Sequence, residues 1–167
     1  MSQKYLVFVY GTLKCGQPNN YLLKYPVEGV AKFLGSGKTV RKYPLVIASK
    51  YNIPYLLDKA GRGHHVVGDV YEVDARMLSV LDELEEHPTY YQRRLDRIEM
   101  VPDFRHPHAN LDGQLECWVY FLQSYRPQLL ELPFLENYDT KGPHNKPYVE
   151  RYRRNLPHYD PVADVQH

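Results

Sequence analysis

Cysteine is scarce in this sequence: 2 residues in 167, Cys15 and Cys117, far apart and in no CxxC or metal-ligand spacing. Two such thiols are too few for a disulfide scaffold, and a reducing compartment is the default. An excess of one charge is also missing, since 21 Lys and Arg face 20 Asp and Glu and leave a formal +1. Phosphate-backbone binders usually carry a basic surplus, so no nucleic-acid or anionic membrane partner is expected. Long hydrophobic runs are wanting as well. No stretch nears the roughly 18 apolar residues that cross a bilayer, and the apolar run at the N-terminus is too short for a secretory signal. The expectation is a cytoplasmic protein.

With 43% hydrophobic and 25% charged residues, the chain can bury a core. A prior of about 150 residues per domain makes it one domain, excluding collagen-like, coiled-coil and disordered readings. Its modest size and near-neutral charge suggest a monomer. Tyrosine and proline are plentiful, at 16 and 13 residues. Six prolines follow Tyr125, which predicts a C-terminal stretch poor in regular structure that wraps the domain where its aromatics find grooves, with 1–154 as the folded unit and 155–167 as a flexible tail.

Lys4 to Tyr10 is an apolar, β-branched and aromatic run ending at Gly11, the pattern of a strand buried on both faces. Further strands are predicted at Val30–Leu34, Thr39–Ala48, Ile53–Leu57, His65–Val73, Tyr91–Val101 and Leu115–Leu122. Their spacing suits a mixed or antiparallel barrel-like sheet. One helix is clear, from Asp74 as cap to His87, with Pro88 stopping it. The segment from Phe104 to Gly113 is rich in His, Pro, Asn and Asp and reads as a surface loop.

That helix carries an anomaly. Met77, Leu78 and Leu84 fall within about 60° of Leu81 on one face, and Glu85 falls at about 40°, inside the apolar stripe. Asp82, Glu83 and Glu86 point elsewhere, toward water. A carboxylate aimed at an apolar interior has its pKa raised toward neutrality, which makes Glu85 a general-base candidate. Periodicity leaves the alternative open that Glu85 reaches past the stripe to solvent or to Arg93. The second candidate is Tyr10-Gly11-Thr12-Leu13, where the first strand ends. Several N–H groups in such a loop can hold a carboxylate or a carbonyl oxygen gaining charge, though a Gly-Thr pair also makes an ordinary turn.

Other features carry less. Gly35-Ser36-Gly37-Lys38-Thr39 ends like a phosphate loop, but Lys32 stands where that motif needs its first Gly and no helix follows. His64-His65 and His106-Pro107-His108 lack the geometry of common zinc sites. Cys15 near the strand end has no His at a recognised spacing to activate it. Tyr90, Tyr91, Tyr120 and Tyr138 read as packing residues with outward hydroxyls.

Val9-Tyr10-Gly11-Thr12-Leu13-Lys14, then Leu81-Asp82-Glu83-Leu84-Glu85 followed by Tyr90-Tyr91-Gln92-Arg93, together resemble the γ-glutamylcyclotransferase family. Gly16-Gln17-Pro18-Asn19, Tyr43 to Ala48, Asn52-Ile53-Pro54 and Tyr138 to His144 resemble its γ-glutamylamine cyclotransferase branch. The resemblance runs from about Tyr5 to Arg153. It implies a small mixed α/β barrel with its pocket at the strand ends. It further implies Glu85 as catalytic base, Tyr10, Gly11, Thr12 and Leu13 as the substrate loop, and neither metal nor cofactor. The implied reaction expels an amine from a small γ-glutamyl compound such as γ-glutamyl-ε-lysine as the glutamyl part closes to 5-oxoproline. Activity on γ-glutamyl-α-amino acids, and a non-catalytic binding relative, are the alternatives. The chain departs from the branch pattern in a longer tail after Arg154 and in the His-Pro loop around His106.

Overall fold

The computed structural model describes residues 3–102, 113–154 and 159–166. Five strands make a closed barrel in the order β1 (Lys4–Val9), β5 (Val67–Asp74), β2 (Ala31–Thr39), β6 (Gln92–Val101) and β7 (Gln114–Phe121). Neighbours are antiparallel except where β1 meets β7 in parallel through Val7 and Trp118, the pairing that closes the ring. β3 (Leu45–Ala48) and β4 (Ile53–Leu56) form a separate hairpin. Short helices α1 (Tyr21–Lys24) and α3 (Pro161–Gln166) accompany the longer α2 (Ala75–Leu84). Among the described residues, no helix is long and apolar enough to cross a membrane.

The unbroken apolar run of β1 has the predicted cause. Side chains alternate across a strand, and Val7 and Val9 enter one core with Leu78, Leu81 and Tyr120, while Phe8 and Tyr10 enter another with Val70, Ile98 and Phe121. Both faces are therefore sealed from Val7 onward, while Lys4 is exposed and Tyr5 and Leu6 are half-buried.

Three predicted boundaries are corrected. The strand expected over Thr39–Ala48 is two pieces, Thr39 ending β2 and Leu45–Ala48 making β3. β2 does not stop at Leu34 but continues through Gly35, Ser36 and Gly37 to Thr39. Gly35 sits at φ 146°, where the register against β5 slips, so a glycine that reads as a break is a bulge within one strand. The phosphate-loop look-alike thus lies in the barrel wall. α2 begins as expected, with the Met77 N–H donating to the Asp74 carboxylate at 2.9 Å, but it ends at Leu84 rather than His87. Glu86 takes a left-handed conformation at φ 51°. The Glu86 and His87 N–H groups then donate back to the Glu83 and Asp82 carbonyls, a Schellman closure made without glycine.

The tail has more structure than its composition predicts. Single-turn helices form at Pro127–Glu131 and Arg151–Arg153. The flexible stretch expected from residue 155 instead includes α3, whose Val165 is 1% exposed and whose Val165 carbonyl accepts the Arg126 N–H at 2.7 Å. Most of the predicted Phe104–Gly113 loop, with His106 and His108, lies outside the described residues.

Candidate active site

A cavity of about 270 Å³ opens where β1 ends. Tyr10, Gly11, Thr12 and Leu13 line it on one side and Glu85, just past the end of α2, on another. All five candidates read from the sequence therefore share one space.

The loop after β1 is held from behind. The Cys15 N–H donates to buried Asp69 on β5 at 2.8 Å. Asn20 donates to the Leu13 carbonyl at 2.8 Å and Asn19 to the Thr12 hydroxyl at 3.0 Å. Lys14 reaches Asn137 and the Tyr138 carbonyl, so the late tail straps the loop down. The Gly11 and Thr12 carbonyls accept from Lys14 and Asn19 within the loop. Among the described residues, nothing accepts from the N–H groups of Gly11, Thr12 or Leu13. The loop's acceptors are committed and its donors are spare. Gly11 itself is required by close approach: a Cβ there would stand 2.8 Å from Cγ of Pro54.

The opposite side follows from the end of α2. The Glu85 N–H still donates to the Leu81 carbonyl at 2.9 Å, so its side chain keeps the direction of the apolar stripe. The competing destination at Arg93 is taken. Arg93 forks onto Asp82 at 2.7 and 3.2 Å and lies over the Trp118 ring at 4.3 Å. Asp82 also accepts the Tyr120 hydroxyl at 2.7 Å, so it faces protein and not water as the helical pattern suggests. Glu85 is partly accessible through the cavity and otherwise enclosed. Burial pushes its carboxyl up to about 7, Arg151 pulls it back, and Glu86 raises it.

Tyrosines furnish the remaining wall. Tyr10 donates to the Tyr120 carbonyl at 2.6 Å, Tyr91 to the Pro54 carbonyl at 3.2 Å, and the Tyr55 and Tyr90 hydroxyls pair. The hydroxyls of Tyr90, Tyr91 and Tyr120 thus find partners inside the protein, and Tyr138 is wholly buried, in place of the outward hydroxyls expected. Burial raises the pKa of Tyr10 and Tyr91, and the Glu85 charge adds to the rise in both. These phenols stay protonated at neutral pH.

Sequence reasoning missed the outer wall, which comes from Tyr148, Arg151, Arg154, Asp160 and Val162. The Arg151-Tyr152-Arg153-Arg154 run was its one visible signal, and nothing in that run indicates a return to the first strand. Cys15 lies elsewhere, its sulfur 3.4 Å from the Tyr71 hydroxyl beside a smaller pocket.

Known proteins resemble this chain in sequence and in fold. A bovine (Bos taurus) γ-glutamylaminecyclotransferase is 47% identical over 148 residues, covering 89% of this chain and 83% of the bovine one. The human (Homo sapiens) γ-glutamylaminecyclotransferase is 44% identical over 152 residues, covering 89% and 99%. The crystal structure of an AIG2-like protein from Mus musculus superposes with a TM-score of 0.83 at 42% identity, covering 91% of this chain and 99% of the mouse chain. The family model described as γ-glutamyl cyclotransferase, AIG2-like, matches residues 7–140. With that match spanning both Tyr10–Leu13 and Glu85, the chain belongs to the γ-glutamyl cyclotransferase, AIG2-like family.

Proposed function

We propose that this protein is a γ-glutamylamine cyclotransferase, releasing the amine of a compound such as γ-glutamyl-ε-lysine while the glutamyl part closes to 5-oxoproline. One observation carries the reading: a single cavity is lined both by Glu85, whose carboxyl burial pushes up to about 7, and by a loop whose Gly11, Thr12 and Leu13 N–H groups have no acceptor among the described residues. The names of the bovine and human relatives support it.

Glu85 takes a proton from the substrate's α-ammonium, and the freed nitrogen attacks the γ-carbonyl carbon. A carbon–nitrogen bond forms and the carbonyl oxygen becomes an oxyanion. Collapse re-forms the carbonyl and breaks the bond to the departing amine, which receives the proton stored on Glu85; the ionised carboxylate then takes the second proton from the ring nitrogen and passes it to the amine, which leaves as an ammonium. Atoms and charge balance with no other reactant. The Gly11, Thr12 and Leu13 amides serve the α-carboxylate and the oxyanion. Nucleophile and electrophile belong to one molecule, so the protein's task is to fold the substrate into an attacking geometry. The protonated tyrosines act as neutral walls that keep water from Glu85 and preserve its raised pKa.

The test is 5-oxoproline release from a panel of γ-glutamyl compounds. Turnover of γ-glutamyl-ε-lysine is expected. Turnover confined to γ-glutamyl-α-amino acids overturns the substrate assignment, and thermal stabilisation by 5-oxoproline with no turnover overturns the enzyme. Release is expected to persist in a strong chelator, since this mechanism draws only on substrate and protein groups. A monomer in the cytoplasm completes the proposal, checked by light scattering and by imaging a tagged chain.

A further inference from the structure

The outer part of the cavity carries charges that the chemistry at Glu85 does not use. Arg154 lies on its wall, held by its Nε on the Val149 carbonyl at 3.1 Å and its Nη2 on the Tyr148 hydroxyl at 3.1 Å. Its guanidinium also lies over the Tyr51 ring at 4.6 Å and near the Tyr148 ring at 5.5 Å. A planar cation fixed this way is organised in advance for a planar anion. Asp160 lines the same cavity, and its Oδ1 accepts the Val162 N–H at 3.0 Å, which orients the carboxylate at the start of α3.

Among the described residues, no acid stands within ion-pair distance of Arg154 and no base within that distance of Asp160. Two opposite charges share one cavity without neutralising each other. Each retains capacity for a charge brought by a ligand. The other charged groups on this wall have different attachments: Arg151 donates to the Leu84 carbonyl and acts on Glu85, and Glu86 closes the end of α2.

We propose that Arg154 and Asp160 bind the leaving amine as a zwitterion, Arg154 taking a carboxylate and Asp160 an ammonium. The favoured substrates are then γ-glutamyl compounds of an amino acid joined through its side-chain amine. An α-linked γ-glutamyl amino acid has a carboxylate next to the scissile nitrogen but no free ammonium on its leaving portion, and Asp160 gains nothing from it. A simple alkylamine offers neither group. This inference rests on the cyclotransferase reading and adds no chemical step, since the pair holds the far end of the substrate while bonds change at the γ-carbon.

A charge-deletion series tests it. The γ-glutamyl amides of lysine (through Nε), 1,5-diaminopentane, 6-aminohexanoate and pentylamine keep one chain length and remove the carboxylate, the ammonium or both. In the wild type, kcat/KM is expected to fall about tenfold for each charge removed, mainly through KM. The loss caused by Asp160→Asn is expected to be about tenfold greater for the two amides that carry the ammonium than for the two that lack it. For Arg154→Gln the same contrast should follow the carboxylate, with Arg154→Lys restoring part of it. Equal losses across all four amides would make either residue merely structural and overturn the proposal, as would a wild type that turns over all four alike. Should Arg154→Gln fail to fold, the wild-type series decides alone. If none of the four releases 5-oxoproline, the cyclotransferase reading itself fails and the pair's role falls with it.

Discussion

At Glu85, burial and a nearby cation act in opposite directions, and burial dominates. Replacing it by Gln keeps the shape and removes the proton carrier, so kcat should fall by about 10² to 10⁴ in a protein that still folds, read by 5-oxoproline release. In the wild type, kcat/KM should rise with pH through a midpoint near 7, well above the ordinary carboxylate range, because only the ionised form is a base. Arg151 favours that ionised form, so Arg151→Gln should move the midpoint to higher pH. Stability runs the other way. The folded pKa lies above the unfolded one, so Glu85 contributes stability in full below the unfolded value near 4.5 and loses it as pH rises through about 7. Glu85→Gln should therefore melt higher than wild type at pH 8 and not at pH 4. Next to it, Glu86 holds a left-handed conformation that costs an L-residue roughly 1 kcal/mol. Glu86→Gly should relieve that strain, raise the melting temperature and lower the Glu85 midpoint by removing a like charge.

Among the elements, legibility follows how local the cause is. β1 can be read because its stretch sealed on both faces, Val7 to Val9, must be apolar, and α2 because Asp74 and the Met77, Leu78 and Leu81 stripe are local signals. The end of α2 escapes because helices of this kind usually stop at Gly, and here Glu86 does that work. β2 escapes because Gly35 looks like a break until β5 is seen pairing on both sides of it. The position of Glu85 is readable, being one helical step from Leu81, whereas its isolation from Arg93 depends on Asp82, Trp118 and Tyr120, which only folding assembles. Contact between elements also explains why the exit loop tolerates no side chain at its glycine. In Gly11→Ala the new methyl would meet Pro54 of β4. A loss of about 1 to 3 kcal/mol in denaturant unfolding is expected, with a further drop in activity as the loop shifts.

Across the whole molecule, the pocket is assembled from distant parts of the chain. Its inner wall comes from the β1 exit loop and the end of α2, its outer wall from Tyr148, Arg151, Arg154, Asp160 and Val162. The outer wall was poorly legible in the sequence because Pro-rich segments lack periodicity and Arg154 meets the Tyr51 ring only once the chain has folded. Val165 anchors α3 against the body, so Val165→Ala should cost about 1 to 3 kcal/mol and lower the melting temperature by several degrees. KM should change more than kcat, because α3 bears on the outer wall and not on Glu85. The ring of strands, sealed where Val7 meets Trp118, has a further consequence. A sheet with no open edge cannot slide to reshape its interior, so adaptation to new substrates falls to the peripheral covering. The family match ends at residue 140, before Arg151, Arg154 and Asp160. A chimera that grafts another member's C-terminal segment onto this barrel should inherit the donor's preference among departing amines while still producing 5-oxoproline, making the enzyme a fixed reactor with an exchangeable doorway.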